Sequence, residues 1–156
     1  MNDVADDAGA EARRELKMLA DQYARAVDRR DAPLLLDVFH ADARLRVYNP
    51  AESEQPRTDL RGHDQLQRVT HSIASYAKTY HFVGNASYNV AGSEARGEVY
   101  CIAHHLTTGA AAATDYVMYI RYLDTYRRDG DRWKILDRRV LVDWTESRSA
   151  TLGPAG

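Results

Sequence analysis

The spacing of apolar residues shifts near Tyr80, and that shift limits the folds open to this chain. Before it, helical intervals prevail apart from one short alternating stretch; from Tyr80 onward apolar residues recur at every second position. Leu16, Leu19, Ala20, Tyr23 and Val27 form one stripe of a first helix, with Asp28 at its C-terminal edge. "RRDAP" breaks that helix. Asp31 is a good N-cap and Pro33 suits a first turn, so a second helix is expected over about 32–40. "ARLRVY", Ala43 to Tyr48, alternates as a strand, and residues 50–62 are polar and read as a loop. Leu66, Val69, Thr70, Ile73 and Ala77 predict a third helix after Gly62. Strands follow at about 80–90, 95–107, 115–127 and 132–144, with turn signals at Ala91-Gly92-Ser93 and Asp129-Gly130. "TTGAAAATD", Thr107 to Asp115, is a low-complexity connection. Helices followed by an antiparallel meander predict an α+β fold, with the helices on one face of a curved sheet.

At 156 residues the chain suggests one domain. Residues 11–146 carry the pattern, residues 1–10 read as a frayed, disordered tail and residues 147–156 as a loose one. The formal net charge is −2 with acids and bases intermixed, which argues against nucleic acid and anionic membrane as partners. No apolar run approaches the roughly 18 residues of a membrane span. The first residues lack the apolar core of a signal peptide. Cys101 is the single cysteine, so no internal disulfide forms, and a reducing, cytoplasmic home is expected.

Chemistry centres on "TYHFVGN", where His81 sits in a strand of aromatic and apolar residues. Such a histidine is either a core residue with a satisfied hydrogen bond or a group facing a cavity. In the next strand His104 and His105 are adjacent, so they point to opposite faces. His105 shares its face with Ala103, Cys101, Val99 and Gly97. Small groups there leave volume for helix side chains or for a pocket. Cys101 reads as a small hydrophobe rather than a nucleophile. Tyr116, Tyr119, Tyr122 and Tyr126 fit strand packing, and Arg127-Arg128 and Arg138-Arg139 read as solvated or surface-paired. His40, His63 and His71 receive no role. Asp28, His81 and His105 together would also make a two-histidine, one-carboxylate metal set. Against it, Cys101 has no partner cysteine and no His-x-x-x-His pair occurs, so no catalytic metal is expected.

Four stretches in order carry a resemblance: "YARAVDRRDAPLLLDVFHADARLRV", "HFVGN", "ARGEVYCIAHH" and "RYLDTYRRDGDRWKILDRRVLVDWT". Over about residues 15–145 the chain resembles the SnoaL-like branch of the nuclear-transport-factor-2-like (NTF2-like) superfamily. The nearest branches in motif are scytalone dehydratase, bile-acid 7α-dehydratase and hexachlorocyclohexane dehydrochlorinase. The resemblance implies a cone of three helices inside a strongly curved antiparallel or mixed sheet, with an apolar pocket in its mouth. It implies an acid–base pair of Asp28 and His81, with His105 as a second pocket histidine. It gives Tyr48 as a pocket tyrosine, although alternation puts Tyr48 opposite Leu45 and Val47. Where scytalone dehydratase has further polar groups, this chain has Val27 and, in the third long strand, Ile120 and Tyr122. Tyr23, Phe82, Val83, Val99, Cys101 and Ala103 complete the expected substrate contacts.

The function implied is a cofactor-independent lyase, a dehydratase or related β-eliminating enzyme, acting on a hydrophobic ring-bearing small molecule. A double-bond isomerase, a polyketide cyclase and a non-catalytic binding module are the alternatives. A homotrimer is expected over a dimer, packed through the sheet that carries Tyr119, Tyr122, Trp133 and Trp144.

Overall fold

The computed structural model describes residues 3–109 and 112–151, with side chains from Gly9 onward. The first helix, α1, spans Asp3–Arg29 and therefore includes most of the stretch expected to fray. Its buried stripe of Ala12, Leu16, Leu19, Ala20, Tyr23 and Val27 packs onto the sheet. A short α2, Ala32–Val38, is capped by Asp31, whose carboxylate accepts from the Leu34 amide, with Pro33 in the first turn.

The helix expected after Gly62 is two short pieces, α3 (Gly62–Leu66) and α4 (Arg68–Ser72). The reason lies in its side chains. Thr70 and His71 both bond the Gln67 carbonyl, and Ser72 bonds that of Val69. Such local bonds compete with a continuous helical ladder.

Among the described residues, six strands form one sheet in the order β2-β1-β6-β5-β4-β3. They are β1 (Phe39–Tyr48), β2 (Thr58–Arg61), β3 (Lys78–Ala91), β4 (Glu94–Thr108), β5 (Ala113–Asp129) and β6 (Arg132–Ala150). Strand β2 falls within the expected loop, where Leu60 is buried beside Leu45 of β1. Strand β6 reaches Ala150, so residues 147–150 are strand rather than loose tail. Residues 1–2, 110–111 and 152–156 of the expected tails and connection lie outside the described residues.

The sheet is mixed: β1 runs parallel to β6 and every other pair is antiparallel. Register shifts at Val83/Ala86, Tyr119/Ile120 and Thr125/Tyr126 mark irregularities that bend the strands. The bent sheet closes around α1 as a cone. Gly92 and Gly130 take φ values of 62° and 60° at the two tight hairpins, where other residues are strained.

Candidate active site

Asp28 leaves the C-terminal turn of α1 towards β3. Its Oδ1 accepts from His81 Nδ1 at 2.7 Å and its Oδ2 accepts from the His81 backbone amide at 2.9 Å. Both oxygens are thus held by one residue. Burial pushes the Asp28 carboxyl up, but the His81 hydrogen bonds pull it below its ordinary value. The carboxylate is ionised near neutrality, so Nδ1 carries the proton and Nε2 is the free ring nitrogen of His81.

His105 stands across from His81 with ring centroids 5.7 Å apart and rings nearly perpendicular. Its Nδ1 lies 3.3 Å from the Tyr116 carbonyl, which can only accept, so this nitrogen is also the protonated one. Burial and the neighbouring His81 hold His105 below the usual histidine range. The site therefore holds a neutral His105 whose Nε2 accepts hydrogen bonds.

Both histidines line a cavity of about 330 Å³. Its walls are Tyr23 and Val27 from α1, Leu45 and Val47 from β1, Ile120 and Tyr122 from β5, and Val140 and Val142 from β6. Thr58, Arg68 and Ser72 add polar groups. A few polar groups in an apolar wall suit a small ring-bearing ligand. A more open groove of about 530 Å³ runs over the sheet, lined by Arg96, Glu98, Asp137 and Arg139 among others. It is charged, and neither His81 nor His105 lines it.

The remaining expected contacts are distributed otherwise. Tyr23 lines the cavity. Val99, Cys101 and Ala103 lie on the inward face of β4 but are sealed in the core, and Val83 packs against that core. Burial raises the Cys101 thiol to about 11, which keeps it a neutral thiol. Phe82 points to the opposite sheet face and is exposed, one residue out of phase with His81. Tyr48 also faces away from the cavity, beneath the Arg139 guanidinium at 5.2 Å. Val27, Ile120 and Tyr122 all line the cavity.

Sequence reasoning missed Arg138. It was expected at the surface and is instead fully buried. It pairs with Asp124 through bonds of 2.9 and 2.7 Å and lies 4.2 Å from the centres of both the Tyr23 and Tyr122 rings. Its parity with Val140 and Val142 was the available signal. A second Asp–His pair, His104 with Asp115 at 2.8 Å, lies on the outer sheet face, where Arg148 also bonds Asp115. Among the described residues no group of three or more His, Cys, Asp or Glu side chains is arranged to hold a metal ion.

A family model for the SnoaL-like domain matches residues 8–139. The chain belongs to the SnoaL-like family. No curated protein matches it at a significant level. Among solved structures, a scytalone-dehydratase-like protein from Novosphingobium aromaticivorans DSM 12444 is 21% identical, with a TM-score of 0.76 over 96% of this chain and 98% of that one. The LinA-type3 hexachlorocyclohexane dehydrochlorinase from Novosphingobium barchaimii LL02 is 14% identical, with a TM-score of 0.77 over 96% and 99%. At such identities the likeness establishes the SnoaL-like cone and leaves the reaction to the site. No helix among the described residues is long and apolar enough to cross a membrane.

Proposed function

We propose that this protein is a cofactor-independent lyase that removes water, or a related leaving group, from a hydrophobic ring-bearing small molecule. The observation that carries the reading is the Asp28–His81 pair, with His81 lining a largely apolar cavity. The scytalone-dehydratase-like protein and the dehydrochlorinase among the structural neighbours support this reading.

His81 Nε2 takes a proton from the substrate carbon next to the one bearing the leaving group. The carbon–hydrogen electron pair forms the new double bond as the carbon–oxygen bond breaks. The same imidazolium then returns its proton to the departing hydroxyl, which leaves as water. Asp28 stabilises the imidazolium and fixes its tautomer. Apolar walls keep out solvent and strengthen that interaction. His105 holds no proton on its free nitrogen, so its role is to accept a hydrogen bond from the substrate hydroxyl and orient it. A halide leaving group needs no proton, and His81 then passes its proton to solvent.

A panel of cyclic β-hydroxy ketones and chlorinated cycloalkanes, followed by conjugated-alkene absorbance or chloride release, tests the reading. Turnover by the wild type that is lost in both Asp28→Asn and His81→Ala supports it. A product of unchanged mass would move the assignment to a double-bond isomerase. Turnover retained by the double variant would overturn the acid–base role.

A further inference from the structure

The end of α1 has a feature that helix termination does not require. Arg30 has φ 55°, and it is the one non-glycine residue with positive φ among the described residues. Glycine is the usual occupant of such a position, because its lack of a Cβ removes the steric penalty. The turn's backbone bonds, from Arg30 N to Val27 O at 3.1 Å and from Asp31 N to Ala26 O at 2.9 Å, need no side chain. An arginine here places a guanidinium where glycine would place nothing.

That guanidinium has no carboxylate partner among the described residues. It binds carbonyl oxygens instead. Nη1 donates to Asp28 O at 2.9 Å, and Nη2 donates to Tyr76 O at 2.9 Å and, at longer range, to Ile73 O at 3.5 Å. Unpaired carbonyls at a helix C-terminus favour a cation. The rigid fork of arginine reaches two segments at once; a lysine ammonium is a compact charge without that geometry.

The joined segments both carry the site. Asp28 holds His81. Ile73 lines the cavity. The Tyr76 ring lies 4.9 Å from the His105 ring. We infer that Arg30 is a positioning residue: its guanidinium clamps the Asp28 end of α1 to the turn after α4, and so sets the aim of both imidazoles. The inference rests on the reading of Asp28, His81 and His105 as the working groups.

The test uses the full chain with isotope-labelled histidine, followed by NMR without any substrate. Arg30→Gly removes the guanidinium and relieves the turn, so its thermal midpoint should stay near that of the wild type. The His81 Nδ1 proton signal should broaden or vanish. The His105 titration should move up towards the ordinary histidine range as the Tyr76 contact loosens and water enters. Amides of residues 73–77 should exchange at least about tenfold faster. Arg30→Lys should show the same changes, since charge alone does not rebuild the fork, and it serves as the second variant if the glycine form fails to fold. Histidine signals and exchange rates like the wild type's in both variants would overturn the clamp and leave Arg30 as a helix terminator. With a substrate from the panel, kcat should fall by about 10–10²-fold with little change in KM. Altered histidine signals in a protein that turns over nothing would sink the lyase reading while leaving the clamp standing.

Discussion

Asp28 and His81 form a unit, because each fixes the state the other must hold. Asp28→Asn keeps the shape but removes the charge that stabilises an imidazolium, and His81→Ala removes the base. Each should reduce turnover by about 10²-fold or more with little change in circular dichroism, and full activity in either would contradict the mechanism. His105→Ala should cost less, because the proposed mechanism has it orient the substrate rather than transfer a proton. The titrations give a separate prediction. Burial, then the nearby His81, lowers His105 in the folded state, so the unfolded chain binds its proton more readily. The stability tied to a neutral His105 is present above the unfolded value of about 6.5 and is lost as pH falls towards the lower folded value. His105→Asn removes that step. Its unfolding free energy should therefore fall less than the wild type's between about pH 7 and pH 5, measured by urea denaturation at each pH. Equal losses would mean that the imidazole is not held neutral by the fold.

At the scale of elements, the cavity stands on a charged pair. Asp124 of β5 and Arg138 of β6 are register partners, fully buried, with Tyr126 OH also donating to Asp124 at 2.8 Å. Asp124→Asn leaves the guanidinium uncompensated beside the cavity-lining Tyr23 and Tyr122 rings and should destabilise by about 3–5 kcal/mol. The double change Asp124→Leu with Arg138→Met should recover much of that loss, because it removes both desolvation penalties. Equal losses in the single and double variants would show that packing rather than charge governs the position. The sequence hid this pair for a physical reason. Alternation put Arg138 on the same face as Val140 and Val142, but arginine is so rarely buried that composition argued for the surface. Alternation was the better guide elsewhere too: it put Tyr48 on the far face from Leu45 and Val47, and it separates Phe82 from His81. The helix–strand order and the inward histidines were legible because period and parity are local properties. The break in the third helix depends on Thr70, His71 and Ser72 bonding nearby carbonyls, which a stripe of apolar residues does not encode. Likewise, Val99 and Ala103 share the face of His105, but which residues on that face meet the cavity is fixed by where α1 lands.

At the scale of the whole molecule, the outer face of the sheet is left with more apolar surface than a single chain covers. Tyr80, Phe82, Tyr100 and Trp144 are 63%, 58%, 42% and 55% exposed. Trp144 stacks on Tyr119 with ring centroids 4.3 Å apart, which makes a flat aromatic platform. Tyr122 and Trp133, named with Tyr119 and Trp144 for the sheet through which packing was expected, are instead buried. The apolar patch is therefore carried by the four exposed residues and Tyr119. Exposed apolar groups clustered in this way mark interaction surfaces. Arg121, bonded to both Glu98 and Asp143, supplies a charged group beside them. A second and third copy of this chain are the proposed partners, so that the cone mouths stay open while the sheets close on one another. Light scattering and sedimentation at micromolar concentration should give a homotrimer. Phe82→Glu with Trp144→Glu should give folded monomers whose His81 signals are unchanged, because neither residue touches the cavity. A wild type that is monomeric at that concentration would defeat the proposal. A dimer would keep association but reject threefold packing. Trimers that survive both glutamates would move the interface off this face and leave the aromatic platform without a partner.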